Sequence, residues 1–339
     1  MAGEKRKAVI FMQQAREFIV RDVYKTSTYE ELRNLVDLHE PCIDRENVQA
    51  WRETLREAEV AFSTWGMPGF TEEEIRAFMP NLKAVFYAAG SVQAFARPFL
   101  NCGVAVVSAW AANAVPVAEY TMAQILLANK GFYQAAAQTK ADYRGAAQYS
   151  RSFPGNYAAK VGLIGAGMIG SLVIELLKPF RLEIMVYDPF LSDEKAEQLG
   201  VRKYGLREIF EQCQTISNHL ANLPATVGML NGELFDLMLP NATFINTGRG
   251  AQVVEADLIR ALKAEPGRTA LLDVTDPEPS LPDSELLKLD NVIMTPHIAG
   301  SMSHEVERMA RYMLEEFIRY DAGEPLKYAV TLKMLETMA

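Results

Sequence analysis

The sequence predicts an α/β protein built on two doubly wound parallel sheets. Short apolar runs alternate with helix-like segments through both halves of the chain, and a glycine-rich turn, Val161-Gly-Leu-Ile-Gly-Ala-Gly-Met-Ile-Gly170, opens the second half. A length of 339 residues is also more than one core comfortably serves, so two domains are expected. Hydrophobic residues at 49% and charged residues at 23% supply enough apolar surface for both cores.

The first strand is Lys7 to Met12, and Phe18 to Leu38 follows as a helix-like stretch with a break inside it. Glu59 to Ser63 and Ala84 to Tyr87 read as strands. Between them, Thr71 and Glu74 form a capping-box signature that starts a helix. Val104 to Val107 adds another strand. Pro116 is read as the first turn of a long apolar helix reaching Lys130, at an interface or crossing between domains. Tyr143 to Tyr157, rich in Gly, Ser, Pro and Asn, is read as an irregular connection.

In the second half, strands are expected at 160–164, 182–187, 215–217, 243–246, 269–273 and 291–294. Helices are expected at 168–177, 192–199, 206–212, 232–238 and 254–264. Six strands at that spacing fit a complete Rossmann-like domain. Glu305 to Tyr320 is amphipathic and is expected to pack back on the first domain.

Composition narrows the partners. The net charge of −9 argues against nucleic acid, whose phosphates need a concentrated positive field. The apolar segment Ala8 to Met12 is too short for a signal-peptide core. The run from Val104 to Ala118 is interrupted by polar residues, so no membrane span is expected and the cytoplasm is the expected compartment. Three widely spaced cysteines and four histidines without a ligand pattern suggest no disulfide framework and no metal.

The glycine turn carries the cofactor reading. Gly165 permits the turn, Gly167 lets backbone approach a pyrophosphate, and Gly170 allows close helix packing, with Met168 and Ile169 opening the helix whose N–H groups face the phosphates. Asp188 ends the next strand, where a carboxylate can bind the adenosine ribose and would repel a 2′-phosphate. NAD(H) is therefore favoured over NADP(H). Met168 leaves the turn without a cation, so binding falls to the backbone and to residues elsewhere.

Further strand ends hold the candidate reacting groups. Arg249, in Asn246-Thr-Gly-Arg-Gly250, can hold the carboxylate and ketone oxygen of a 2-oxoacid; the competing reading is a surface arginine at a loop tip. His297, in Met294-Thr-Pro-His-Ile-Ala-Gly300, can exchange a proton with an alkoxide, and Glu278 can orient its imidazole. Asp273 either accepts from a nicotinamide carboxamide or caps residues 274–277. His219 follows a strand and is a candidate for the cofactor cleft; His39 and His304 read as surface or packing residues.

These motifs, above all Asn-Thr-Gly-Arg-Gly, Leu-Asp-Val-Thr-Asp-Pro-Glu-Pro and Thr-Pro-His-Ile-Ala-Gly, closely resemble those of the D-isomer-specific 2-hydroxyacid dehydrogenases. The resemblance runs from Pro80 through Ala299. It implies that Arg249 binds substrate, Glu278 pairs with His297, and His297 is the acid/base. Thr247, Gly248 and Asp273 would lie at the cofactor, with Asn113 near nicotinamide. Ser91 and Val92 would present backbone N–H groups to the substrate carboxylate.

The resemblance also implies a discontinuous substrate domain, 1–115 with 306–339, and an NAD-binding domain, 116–305, that includes the interdomain helix. The two would be separated by an active-site cleft that closes on substrate, with homodimers formed through the NAD-binding domain. Gln93 departs from the aspartate common after the glycine-valine stretch, and Gly248 replaces a frequent alanine. Trp65, in Ser63-Thr-Trp-Gly-Met-Pro-Gly69, is a candidate pocket wall, with core packing as its alternative. No basic residue in that loop suggests a phosphate-bearing substrate, which favours a small or moderately apolar 2-oxoacid. Two alternatives stay open: an NAD(H)-sensing binding protein or corepressor on the same scaffold, and a formate or phosphonate dehydrogenase.

Overall fold

A computed structural model describes residues 5–338. Thirteen strands follow in chain order: β1 (Lys7–Phe11), β2 (Asp37–Leu38), β3 (Val60–Ser63), β4 (Ala84–Tyr87), β5 (Ala105–Ser108), β6 (Tyr157–Ile164), β7 (Arg181–Tyr187), β8 (Arg202–Lys203), β9 (Thr215–Asn218), β10 (Thr243–Asn246), β11 (Thr269–Leu272), β12 (Val292–Met294) and β13 (Ala329–Val330). The chain divides into two compact units, one formed by residues up to Ala114 and again from Ser301, the other by Val115–Gly300.

In the first unit the strand order is β13-β5-β4-β3-β1-β2. All neighbours are parallel except β13, which runs antiparallel to β5. The strand period sorts side chains onto two buried faces. Ala8, Ile10 and Met12 join Phe62, Phe86 and the helix Val306–Asp321 on one face, while Val9 and Phe11 join Ala61, Val85 and Phe99 on the other. The late helix thus returns its apolar stripe, Met309, Met313, Leu314 and Phe317, to this unit. Helix Glu72–Phe78 begins at a reciprocal cap: Thr71 Oγ1 accepts from Glu74 N at 3.2 Å, and Thr71 N donates to the Glu74 carboxylate at 2.8 Å. The break expected after Phe18 falls at Lys25, whose φ of 50° interrupts helix Glu17–Leu35.

The second unit orders its strands β12-β11-β10-β9-β6-β7-β8, all parallel. The direction of strand addition reverses between β6 and β9, and ligands bind beyond the strand C-termini at such a switch point. Val161, Leu163, Ile245 and Leu271 fill one face; Ile164, Phe244, Ala270 and Leu272 fill the other.

Two expectations need correction. Pro116 does not start its helix: the helix is Trp110–Ala128, with Pro116 inside it. Alanine-rich sequence before the proline supports the earlier start. The segment after Tyr143 is not irregular throughout, because residues 143–149 are helical, capped where the Asp142 side chain accepts from Gly145 N. Among the described residues no helix is long and apolar enough to cross a membrane.

Candidate active site

The glycine turn leaves β6 at the switch point. At Gly165, φ is 98°, and a Cβ there would lie 2.7 Å from the His219 carbonyl oxygen; at Gly170 a Cβ would lie 2.0 Å from the Gly165 oxygen. Internal packing explains both glycines. Gly167 is different: it precedes helix Met168–Leu177, and a Cβ on it meets no protein atom within 4 Å. Room beside a helix N-terminus with unpaired N–H groups is what a dinucleotide pyrophosphate requires. Met168 is exposed and Ile169 half-buried at that end.

Asp188 lies at the end of β7, where its Oδ2 accepts from Ala166 N at 2.7 Å and its Oδ1 from Phe190 N at 2.7 Å. The carboxylate therefore staples the turn and keeps further lone pairs for a ribose hydroxyl. The residues present fit a nicotinamide dinucleotide.

Beyond β10, Gly250 lets the Arg249 loop lie directly on the next one, since a Cβ there would be 2.0 Å from the Thr275 carbonyl carbon. The Arg249 guanidinium donates to the Gly248 carbonyl at 2.7 Å. Burial lowers its pKa from the usual arginine value, and nearby Glu278 opposes that shift. It has no ion pair among the described residues. A half-buried cation with no ion pair among the described residues is suited to an incoming carboxylate or oxyanion.

Asp273 follows β11 and is buried. Its Oδ1 accepts from Thr295 Oγ1 at 2.7 Å and Ile298 N at 2.8 Å, its Oδ2 from Ala299 N at 2.9 Å, and its carbonyl from His297 N at 3.1 Å. It does not cap residues 274–277; it holds the loop that carries the histidine. That hold matters because His297 sits at φ 55°, a left-handed conformation that costs free energy unless its surroundings impose it.

Glu278 Oε1 lies 2.6 Å from His297 Nδ1, with both side chains partly exposed. A carboxylate at Nδ1 keeps the proton there, so Nε2 is the nitrogen available to a reacting oxygen. His219 is different. Burial takes its pKa from 6.5 to about 4, and it lies 3.0 Å from Ser217 Oγ and 3.5 Å from Thr247 Oγ1, which reaches Thr121 Oγ1 at 3.4 Å. His219 is a neutral element of a buried hydroxyl chain beside the turn.

In the first unit, Ser108 Oγ lies within 2.8 Å of both the Ala89 and Gly90 carbonyls and so holds the loop bearing Ser91 and Val92. The Val92 side chain is core, leaving its backbone as the group for any ligand. Asn113 Oδ1 accepts from Ser301 N at 3.0 Å. Gln93 turns to the C-terminal segment, donating to the carbonyls of Leu335 at 2.8 Å and Met338 at 2.6 Å. Trp65 is partly exposed. Two arginines from distant sequence flank its loop: Arg45 is committed to Gly69 and Glu74, whereas the Arg16 stem packs against Gly66 and its guanidinium has no ion pair among the described residues.

Four residues near Arg249 and His297 escaped the sequence reading: Asn218, Asn246, Gln252 and Thr295. The first three form a buried amide cluster beneath the Arg249 loop. Thr295 bridges Asp273 and Tyr120, whose hydroxyl lies 3.1 Å away. For Asn218, Asn246 and Thr295 a polar side chain at a strand end was the available signal; Gln252, six residues beyond β10, offered none.

The family model for the NAD binding domain of D-isomer specific 2-hydroxyacid dehydrogenase matches residues 122–299. A D-3-phosphoglycerate dehydrogenase of Archaeoglobus fulgidus is 33% identical over 235 residues, covering 69% of this chain and 44% of that protein. The chain thus spans less than half the length of such curated relatives. In fold, it is similar to a phosphoglycerate oxidoreductase of Rhizobium etli (TM-score 0.81, 21% identity, 97% of this chain and 100% of that one). It is likewise similar to the apo D-mandelate dehydrogenase of Rhodotorula graminis (TM-score 0.80, 19% identity, 96% and 98% covered).

Proposed function

The chain belongs to the D-isomer specific 2-hydroxyacid dehydrogenase family, and from that premise we propose that it interconverts a D-2-hydroxyacid and a 2-oxoacid. One observation carries the reading: the Glu278–His297 pair at 2.6 Å stands with Arg249, a half-buried guanidinium with no ion pair among the described residues. A nicotinamide dinucleotide, when bound, supplies or receives the hydride. Gly165, Gly167, Met168, Ile169 and Gly170 hold its pyrophosphate, and Asp188 its ribose. His219, Thr247, Gly248, Asp273 and Asn113 line it further along. NAD(H) is preferred over NADP(H), because Asp188 would repel a 2′-phosphate.

In the reducing direction Arg249 binds the oxoacid and stabilises negative charge as it develops on the carbonyl oxygen. His297 then gives its Nε2 proton to that oxygen, while Glu278 stabilises the imidazolium through Nδ1. Oxidation runs the same proton path backwards. The backbone amides of Ser91 and Val92 are assigned to the substrate carboxylate, and Trp65 to the wall around its side chain.

The substrate is a small or moderately apolar 2-oxoacid. A second reading, a phosphorylated hydroxyacid, is favoured by Arg16 beside the Trp65 loop and by the phosphoglycerate relatives. Pairing of two copies is assigned to the second unit, where Leu127, Phe132, Tyr143 and Tyr157 are exposed. Purified protein should oxidise NADH with at least one of glyoxylate, pyruvate, hydroxypyruvate, phosphohydroxypyruvate, phenylpyruvate or a branched 2-oxoacid. Silence across that panel, with NADH bound, would remove the dehydrogenase reading.

A further inference from the structure

We propose that Asn218 and Gln252 are positioning residues for Arg249, locking the loop after β9 and the loop after β10 into one unit; this rests on the substrate role given to Arg249 above. The two side chains are fully buried, come from positions 34 residues apart, and meet at Asn218 Nδ2, which donates to Gln252 Oε1 at 2.6 Å. The same oxygen accepts from Arg249 N at 3.2 Å. Gln252 Nε2 donates to the carbonyls of Leu220 and Ala221, each at 2.9 Å. One amide thereby ties the Arg249 backbone to the loop that begins at His219.

Asn246 completes the lock. Its Oδ1 accepts from Asn218 Nδ2 at 3.0 Å and from Gly248 N at 3.1 Å, and its Nδ2 donates to the Arg249 carbonyl at 3.1 Å. Asn218 Oδ1 accepts from Leu220 N at 3.2 Å. Arg249 is thus held at both its backbone N–H and its carbonyl by side-chain amides. Among the described residues no bond in the cluster reaches the guanidinium, which donates instead to the Gly248 carbonyl. The cluster fixes where the arginine starts and leaves its head to the ligand.

A buried polar cluster of this kind is costly unless fully satisfied, and apolar side chains would fill the same space without that demand. Its directional bonds provide what apolar packing does not, a single backbone pose for the residue between them. Misplacing a binding group by about 1 Å is enough to cost up to roughly a hundred-fold in rate.

The test compares wild type with Gln252→Glu, Gln252→Met and the double variant Asn218→Leu/Gln252→Met. In Gln252→Glu the acceptor for Arg249 N and Asn218 survives while the donors to Leu220 and Ala221 are lost. The double variant removes both partners with side chains of similar shape. The expected result is a fall of about ten-fold or more in kcat/KM for the 2-oxoacid in each variant, seen mainly in KM, with NADH affinity by fluorescence within about two-fold of wild type.

Oxamate binding in the presence of NADH should weaken in parallel, and amide hydrogen exchange over residues 246–252 should accelerate in folded Gln252→Met protein. Unchanged kcat/KM in a folded, active variant would overturn the positioning role while leaving the dehydrogenase reading intact. If wild type turns over no 2-oxoacid and binds no oxamate, the dehydrogenase reading fails and the substrate-positioning role fails with it. Hydrogen exchange then still decides whether the amides hold the loop.

Discussion

Acidification should weaken this fold at one imidazole, His219, more than at any exposed histidine. Burial takes its pKa from 6.5 to about 4, so between those values the unfolded chain binds a proton that the folded chain refuses. Stability from this group is therefore fully present above about pH 6.5 and is lost as pH falls towards 4. The gap corresponds to about 3 kcal/mol in total, of which roughly 2 kcal/mol is gone by pH 5. Urea unfolding at pH 7.5, 6.5, 5.5 and 5.0, for wild type and His219→Asn, measures it. The wild type should lose about 2 kcal/mol more than the variant across that range. Parallel losses, or a His219 resonance titrating near 6.5, would refute the assignment of a neutral buried imidazole.

Three further outcomes follow from the site and the surface. His297→Ala should lower kcat/KM by about 10²-fold or more while dinucleotide affinity holds, and Glu278→Gln should slow turnover by about ten- to a thousand-fold through loss of the Nδ1 partner; steady-state rates and NADH fluorescence separate chemistry from binding. Gly167→Ala should leave the melting temperature nearly unchanged yet weaken NADH binding about ten-fold or more, whereas Gly170→Ala, whose Cβ would lie 2.0 Å from the Gly165 oxygen, should cost about 1–3 kcal/mol or more of stability. Phe132→Glu with Tyr143→Glu should halve the mass seen by light scattering if these exposed rings pair two copies.

Local signals account for the parts of the fold that are legible in the sequence. The helix at Met168–Leu177 follows directly from a strand, a glycine turn and an apolar run, and the Thr71 cap follows from a four-residue pattern. The two-residue strands at Asp37, Arg202 and Ala329 are too short to leave a period of two in the sequence. Helix Tyr143–Tyr149 was obscured because most of its side chains face solvent, leaving its Asp142 cap as the main signal. Pro116 misled because a proline suits a helix start, while here alanines begin the helix before it.

At the site, Arg249, Glu278 and His297 stand out because each sits in a strand-end loop with an uncommon motif. Asn218 reads as an ordinary polar strand end and Gln252 as an ordinary polar loop residue, since their partnership spans 34 positions and exists only once β9 and β10 lie side by side. Asp273 was visible as a carboxylate at a strand end. Its bonds to Ile298 and Ala299 depend on how the loop after β12 folds back, and no spacing rule carries that information.

The most direct test of the dehydrogenase reading is to reduce a cognate 2-oxoacid with NADH deuterated at the transferred position, then determine label and configuration in the product. The account predicts deuterium at C2 of the D-2-hydroxyacid with wild type and at least about a hundred-fold less product with His297→Ala. An L-product, an unlabelled C2, or undiminished label from the alanine variant would contradict it.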